Sequence, residues 1–196
     1  MNSLSEIARK YGTDKEVSHE SHGEGHRFCD FYDFHLSSIR NNNLKVLEIG
    51  IFDGASLRMW EEYFPNSKIY GIDNLAHPKA VLVNSGRIKS FKVDAGDRTQ
   101  LENFVKAYGD FDIVIDDASH FTDHQFLSWD IFYGKCKIFI WEDLHTSRIP
   151  DYMRLAIDNK YPLDYAKHLS ITSPNNHFIF DRDNDSKHVT FIRKNL

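Results

Sequence analysis

Short apolar, β-branched runs alternate with amphipathic helical stretches from Lys45 onward, and this alternation constrains the fold more than any other feature. Each run is followed by a polar or glycine-containing turn and then by a helical pattern. Strands separated by helices pair in parallel because each helix provides the crossover. The predicted strands are 45–50, 68–73, 87–94, 111–116 and 136–141, and the predicted helices between them are 56–64, 98–108 (with Asp97 as N-cap) and 123–132.

The two ends of the chain depart from this alternation. The β-like runs 177–181 and 188–192 are separated only by the polar loop 182–187, which is too short for a parallel crossover, so they predict an antiparallel hairpin. Helices are predicted over 4–11 and 28–39, forming a cap over one edge of the sheet. The predicted fold class is therefore α/β: a doubly wound, mostly parallel, seven-stranded Rossmann-like sheet with a C-terminal antiparallel hairpin and a short N-terminal helical cap.

Composition excludes several classes of protein. Of the 196 residues, 41% are hydrophobic, which excludes a disordered chain, and a net charge of −5 without a basic run predicts neither nucleic acid nor membrane as partner. The N-terminus has no apolar signal segment. Cys29 and Cys136 lie far apart and are predicted to be reduced thiols, so a cytoplasmic location is expected.

In doubly wound folds ligands bind beyond the carboxyl ends of the strands. Gly50 and Gly54 follow the first predicted strand, where they would let the backbone approach a ligand, although a sterically tight turn explains them equally well. Asp73 ends the second strand in the position that accepts hydrogen bonds from a ribose, although on its own it could equally cap a helix or form a turn. Asp94 ends the third strand, where it could meet an adenine amino group. Together these residues predict an adenosine-containing cofactor.

Two acidic pairs follow the fourth and fifth strands. Asp116 and Asp117 are predicted to converge with Glu142 and Asp143, and four carboxylates in one cleft repel one another unless a cation or proton intervenes. Oxygen ligands without cysteine favour Mg²⁺ over zinc. The alternative is that some of these acids cap helices and face solvent. His120 can reach the same cleft and take a proton from a hydroxyl at neutral pH.

The other histidines are less informative. His124 is predicted on a helix surface, and His145 is intermediate because it follows an acidic pair. His19, His22 and His26 match no structural zinc spacing and are interpreted as a polar loop.

At this point the pattern resembles the class I S-adenosylmethionine-dependent methyltransferases, and more narrowly the metal-dependent sugar O-methyltransferases that act on rhamnose or macrolide-attached sugars. The resemblance covers roughly residues 5–147. The stretches that carry it are YGTDK at 11–15, LEIG at 47–50, GASLRMW at 54–60, IYGID at 69–73, FDIVIDDASH at 111–120 and EDLHT at 142–146.

The resemblance implies a set of roles for individual residues. S-adenosyl-L-methionine would be bound by Thr13, Lys15, Glu48, Gly50, Gly54, Ser56, Asp73, Asp94, Ala95 and Asp116. Mg²⁺ (or Mn²⁺) would be bound by Asp117 and Asp143, with Glu142 as a further candidate ligand and no other third protein ligand identified. His120 would be the general base, assisted by Asp117. Residues 1–44 would be the cap and 45–196 the cofactor-binding methyltransferase part of the same domain.

The predicted function is methyl transfer to a sugar hydroxyl of a rhamnose-like glycan or glycoside. A methyltransferase acting on a catechol-like phenol and a non-catalytic cofactor- or sugar-binding module remain alternatives. A nucleotide-dependent oxidoreductase would require a complete three-glycine fingerprint, which is not present. The chain is further expected to form a homo-oligomer or to be fused to glycosyltransferase domains.

The acceptor pocket is expected in the loops 12–26 and 146–174. Trp129, Tyr161 and Tyr165 are candidates for stacking against a sugar, although core packing is the default expectation for any one aromatic residue.

Overall fold

The computed structural model describes residues 2–16, 25–154, 160–182 and 189–195. Its strands are β1 (Lys45–Ile49), β2 (Lys68–Asp73), β3 (Ile88–Lys92), β4 (Phe111–Asp116), β5 (Cys136–Trp141), β6 (His177–Asp181) and β7 (Val189–Lys194). Its α-helices are α1 (Leu4–Tyr11), α2 (Cys29–Leu36), α3 (Ala55–Tyr63), α4 (Arg98–Tyr108), α5 (Thr122–Phe132) and α6 (Pro162–Thr172). Short 3₁₀ turns cover Ser37–Ile39, Leu144–Arg148 and Pro150–Tyr152.

The strands form one seven-stranded sheet in the order β3-β2-β1-β4-β5-β7-β6. β1 to β5 pair in parallel, whereas β7 pairs antiparallel with both β5 and β6. The predicted fold class is therefore confirmed, including the C-terminal hairpin. The chain moves outward from β1 to β3 and returns to β4, so the strand order reverses between β1 and β4, where doubly wound sheets bind ligands.

Both faces of the sheet are covered because neighbouring residues in a strand point to opposite sides. Val46 and Ile138 pack with α1, α2 and α3 on one face. Leu47 and Phe139 pack with α4, α5 and α6 on the other. Strands buried on both sides explain why their sequences are almost continuously apolar.

Local signals set several helix ends. Ser3 and Glu6 form a reciprocal capping box at the start of α1, and Gly12 ends that helix in the left-handed conformation. Asp97 caps α4 as predicted, by accepting a hydrogen bond from Gln100 N.

Two expectations about the helices were wrong. The N-terminal helices do not cap a sheet edge: Leu4 and Phe28 are fully buried in the same cluster as Ile138 and Ile192, so these helices cover a face. The stretch 146–174 also contains α6, which was expected to be loop. Its apolar pattern is weak, since only Pro162, Leu163 and Ala166 of the helix are buried.

No helix in the described ranges is long and apolar enough to cross a membrane. Cys29 and Cys136 are both buried and unpaired, as predicted. Of the histidine-rich stretch, His19 and His22 lie outside the described residues.

Candidate active site

A cavity of about 630 Å³ opens at the carboxyl ends of the parallel strands. The loops after β1, β2, β3, β4 and β5 all contribute to its wall, and the N-terminal segment completes it with Gly12, Thr13, Asp14 and His26. Beyond β5 the wall continues through Thr146, Ile149 and Tyr152. The cavity therefore lies where the strand order predicts a ligand.

The turn after β1 requires glycine. Gly50 has φ +95°, and a Cβ there would lie 2.1 Å from the backbone oxygen of Asp117. Gly54 has φ +80° and is the N-cap of α3. Within the first turn of α3, Ser56 lines the cavity and donates a hydrogen bond of 2.6 Å to Glu48 Oε2. The turn thus brings β1 and β4 together closely at the cavity floor.

Asp73 lines the cavity at the end of β2 and also shapes it. Its Oδ2 accepts hydrogen bonds from the amides of Ile51 (2.8 Å) and Phe52 (3.3 Å), and its Oδ1 accepts one from Leu75 N (2.6 Å). The carboxylate therefore holds the loops after β1 and β2 in place next to any ligand that it contacts.

Beyond β3, Asp94 and Ala95 line the cavity as predicted. His124 lines it too, so the expectation that this side chain lies on a helix surface was wrong. Its Nδ1 is 2.7 Å from Ser119 Oγ. A Cβ on Gly96 would lie 2.5 Å from the His124 ring, so this wall is closely packed.

Lys15 does not line the cavity but lies beneath it, fully buried. Its Nζ is 2.5 Å from Asp117 Oδ2, 2.9 Å from Glu142 Oε2 and 3.3 Å from Glu48 Oε1. Burial alone would lower the pKa of Lys15. The three carboxylates instead hold this pKa well above its usual range. Glu48 and Glu142 are also fully buried and absent from the cavity wall.

Asp117, His120 and Asp143 each offer a ligand atom, and the three atoms lie within 4.8 Å of one another. All three residues line the cavity. His120 Nε2 is 3.6 Å from Asp143 Oδ2. Within the described part of the chain, Asp143 Oδ1 is shielded from solvent yet accepts no hydrogen bond. This set of oxygen and nitrogen atoms, with a carboxylate oxygen that lacks a donor, fits a divalent cation.

Three imidazoles surround Asp143. Besides His120, the Nδ1 atoms of His26 and His145 lie 3.5 and 3.7 Å from Asp143 Oδ1. Burial alone would raise the pKa of Asp143, but the three histidines hold it below its usual range. His26 thus belongs to the candidate site, and the interpretation of its surroundings as only a polar loop missed this contact.

The remaining acids carry an excess of negative charge. Burial, together with the neighbouring Asp143, raises the pKa of Asp117, and burial together with Asp117 raises the pKa of Glu142 well above its usual range. Lys15 alone cannot neutralise the three carboxylates of Glu48, Asp117 and Glu142, so a bound cation or protons must balance the rest.

Asp116 lies behind the cavity wall, buried and accepting a hydrogen bond from Ser128 Oγ. Burial raises its pKa to about 7. The structure therefore places this predicted cofactor ligand away from the cavity.

Similar proteins are sugar O-methyltransferases. The chain is 34% identical over 159 residues to the mycinamicin VI 2″-O-methyltransferase of Micromonospora griseorubida. This match covers 76% of this chain and 38% of that protein. It is 34% identical over 161 residues to the demethylmacrocin O-methyltransferase of Streptomyces fradiae, with the same two shares of 76% and 38%. No protein-family model matches the chain.

Solved structures share the fold. The MycE methyltransferase from the mycinamycin pathway, in complex with Mg, SAH and mycinamycin VI, has a TM-score of 0.77 at 29% identity, over 98% of this chain and 54% of that chain. The chain therefore has the Rossmann-like fold of this methyltransferase. A putative caffeoyl-CoA O-methyltransferase from Staphylococcus aureus shares the fold at a TM-score of 0.54 and 18% identity, over 99% of this chain and 93% of that one.

The chain spans about two fifths of the length of the curated relatives it matches, 38% for the two named above. The structural match to MycE nevertheless extends over 98% of this chain.

Some cavity residues were missed from the sequence. The aromatic residues in the wall are Phe52, Phe121 and Tyr152. The proposed stacking residue Trp129 instead packs in the core, with its ring 4.6 Å from that of Trp141. Tyr165 lies against the same core cluster. Phe121 directly follows His120, and its proximity in sequence was the only signal that could have identified it.

Proposed function

We propose that this chain is an S-adenosylmethionine- and divalent-cation-dependent O-methyltransferase acting on a hydroxyl of a sugar or glycoside. The observation that carries the proposal is the Asp117–His120–Asp143 cluster in the same cavity as the glycine turn and Asp73. The relatives are O-methyltransferases for sugars on macrolides and on tetracenomycin-type compounds. That specificity supports a sugar acceptor for this chain.

The residues present fit both groups. Gly50, Ser56 and Asp73 would bind the cofactor on one side of the cavity, with Asp94 and Ala95 beyond them. Asp117 and Asp143 would hold the cation from the other side. Glu142 remains a predicted ligand through Oε1, which is buried and has no hydrogen-bond partner in the described ranges.

When bound, the cation would lower the pKa of the acceptor hydroxyl and the sulfonium of S-adenosylmethionine would supply the methyl group. His120 would accept the hydroxyl proton at Nε2 while Asp143, 3.6 Å away, stabilises the resulting imidazolium. The cavity walls would orient the acceptor oxygen towards the methyl group. The products are the methyl ether, S-adenosylhomocysteine and a proton, which leaves through His120.

Phe121 and Tyr152 provide an aromatic surface next to His120, with ring centroids 5.5 Å apart. The guanidinium of Arg154 lies 3.4 Å from the Phe121 centroid and supports that ring from one side. An aromatic surface next to the proposed base suits the apolar face of a pyranose. The acceptor is therefore expected to bind between this surface and the cation site.

Two further expectations remain part of the proposal. The cytoplasm is the proposed location, supported by the unpaired state of Cys29 and Cys136. The chain is also proposed to associate with further domains, which the greater length of the relatives supports, or with a second copy of itself.

The first test is calorimetric titration with S-adenosylhomocysteine, with and without Mg²⁺. We expect binding by the wild type and loss of binding by Asp73→Ala, whereas Asp164→Ala, at a surface ion pair with Arg148, serves as the matched control and binds normally. Methyl transfer to rhamnosides, but not to catechols, would support the sugar acceptor. Failure of the wild type to bind S-adenosylhomocysteine under either condition would contradict the proposal.

A further inference from the structure

Lys15 is a fully buried charged side chain whose position the proposed reaction does not explain. It has no exposed surface and belongs to a chain segment that precedes the sheet. Burying an ammonium group costs several kcal/mol unless ionised partners compensate.

Its partners come from three neighbouring places in the sheet. Glu48 belongs to β1, Asp117 follows β4 and Glu142 follows β5, and all three carboxylates lie within 3.3 Å of Lys15 Nζ. Asp117 uses Oδ2 for this contact, so its other oxygen is left for the cavity. The ammonium therefore touches two of the predicted cation ligands from the side that faces away from the cavity.

The backbone around Lys15 forms part of the cavity wall. Gly12, Thr13 and Asp14 line the cavity immediately before it. The oxygen of Lys15 accepts a hydrogen bond from Phe28 N, and the oxygen of Asp14 accepts one from His26 N, both at 2.8 Å. The same short segment thus holds His26 next to Asp143 and places Lys15 among the acids.

We propose that Lys15 is a positioning residue for the cation: its ammonium holds Asp117 and Glu142 beside Asp143 and couples the segment 12–16, whose first three residues line the cavity, to cation binding. The inference rests on the proposed function, because it assumes that a divalent cation binds at Asp117 and Asp143. Lys15 itself touches neither the cation nor the acceptor.

Two effects of opposite sign make the proposal testable. A positive charge close to a cation site repels the cation, so if Lys15 acted only as a charge, its removal would tighten metal binding. If Lys15 positions the ligands, its removal weakens binding. Outer-shell partners of metal ligands change metal affinity by about 10- to 100-fold when they are replaced.

The experiment measures Mn²⁺ affinity and thermal stability of Lys15→Met, of the double variant Lys15→Met/Glu48→Gln, and of the control Lys10→Met. The double variant removes one positive and one negative charge, and the amide introduced by Glu48→Gln can still accept a hydrogen bond from Ser56 or Trp60. Lys10 pairs with Glu62 at the surface of the same N-terminal region. We expect Lys15→Met to be strongly destabilised and the double variant to recover most of the lost stability.

In the folded double variant we expect the Mn²⁺ dissociation constant to rise about tenfold or more, with Lys10→Met unchanged. Wild-type affinity in that variant would show that Lys15 is only a structural anchor and would overturn the proposal. Tighter binding would overturn it as well, because it would show that repulsion dominates. If the wild type binds no Mn²⁺ at all, both this inference and the proposed function fail.

A second measurement needs no variant and decides the matter if the double variant does not fold. Hydrogen exchange of the wild type is compared with and without Mn²⁺, in the absence of S-adenosylhomocysteine. Coupling through Lys15 predicts slower amide exchange in peptides that cover residues 12–16 when Mn²⁺ is bound. Unchanged exchange there under saturating Mn²⁺ would contradict the coupling.

Discussion

His120 and Asp143 face each other from two different loops, and both have left-handed backbone conformations, with φ of 59° and 54°. Neither is a glycine, and such conformations cost about 1–3 kcal/mol each unless the surrounding structure enforces them. Strain of this kind is concentrated at functional sites. Here it aims an imidazole and a carboxylate at the same point of the cavity.

Replacement of His120 separates two possible roles. If His120 is the general base, His120→Ala should keep its affinity for Mn²⁺ and S-adenosylhomocysteine while turnover falls about 10²-fold or more. If His120 is instead a cation ligand, Mn²⁺ affinity should fall together with turnover. Mn²⁺ titration followed by a methyl-transfer assay makes the distinction, with His168→Ala on α6, at the surface, as the control.

Asp116 should make stability depend on pH in an unusual direction. Burial raises its pKa to about 7, so between about pH 4 and pH 7 the folded chain binds a proton that the unfolded chain releases. Its contribution to the free energy of unfolding therefore falls as the pH rises through this window. A protonated Asp116 can also donate to Ser128 Oγ while the Ser128 hydroxyl donates to Gln125 O.

Asp116→Asn should remove this dependence. Relative to the wild type, the variant should gain about 1–3 kcal/mol of stability between pH 4.5 and pH 7.5 and gain nothing further above that. Urea unfolding at several pH values measures the difference. Asp97→Asn is the control. Because hydrogen bonds from Gln100 lower the pKa of Asp97, this substitution should change the pH dependence of the free energy of unfolding in the opposite direction. If the difference in free energy of unfolding between Asp116→Asn and the wild type did not change with pH, the prediction would be wrong.

At the scale of elements, the β1–α3 turn decides how closely the strand ends approach one another. Gly50 N donates to Ile72 O, and the Gly50 Cα faces the backbone of Asp117 without room for a methyl group. The turn therefore holds the end of β1 against both β2 and β4. Because Asp117 follows directly after β4, the turn also sets the position of a predicted cation ligand.

Gly50→Ala should destabilise the chain by at least about 2 kcal/mol, since it adds both a backbone clash and a strained positive φ. S-adenosylhomocysteine binding should be lost under conditions where the variant is still folded. Gly134→Ala is the matched control because a Cβ there meets nothing within 4 Å. Denaturant unfolding and calorimetry measure the two effects, and equal behaviour of the two variants would refute the steric argument.

At the scale of the whole molecule, the cavity unites segments from the N-terminus to the loop beyond β5. A cation that binds only the folded arrangement must stabilise all of them together. The excess of carboxylates around Asp143 should make this effect large, because the bound cation also relieves repulsion between acids in the folded state.

We expect Mn²⁺ at about one hundred times its dissociation constant to raise the thermal midpoint by roughly 5–10 °C, and chelation to reverse the rise. Asp143→Asn should lose most of this increase, whereas Asp164→Asn at the surface should retain it. Differential scanning calorimetry at fixed protein concentration measures the shift. An equal shift in both variants would place the cation elsewhere.

Much of this architecture could be predicted from the sequence because its signals are local. The bounds of β2, β4, β5 and β6 match the predictions. For β2, β4 and β5 the reason is that a strand buried on both faces is a continuous apolar run between turn residues. The strand-end residues Asp73, Asp94 and Asp117 line the cavity as predicted, because the carboxyl ends of parallel strands meet at one edge. The helix α6 escaped prediction because its buried residues, Pro162, Leu163 and Ala166, all lie in its first half and do not form an apolar stripe along the whole helix.

The sequence by itself therefore determined the order of strands and helices, the glycine turn and the set of acids at the strand ends. Only the tertiary structure decided which of those acids faces the cavity and which pairs with Lys15, whose partners Asp117 and Glu142 lie 102 and 127 residues away in the chain. It likewise brought His26 and His124 into the wall. The reason is physical: local propensity acts over a few residues, whereas buried charges are paired by packing between distant segments.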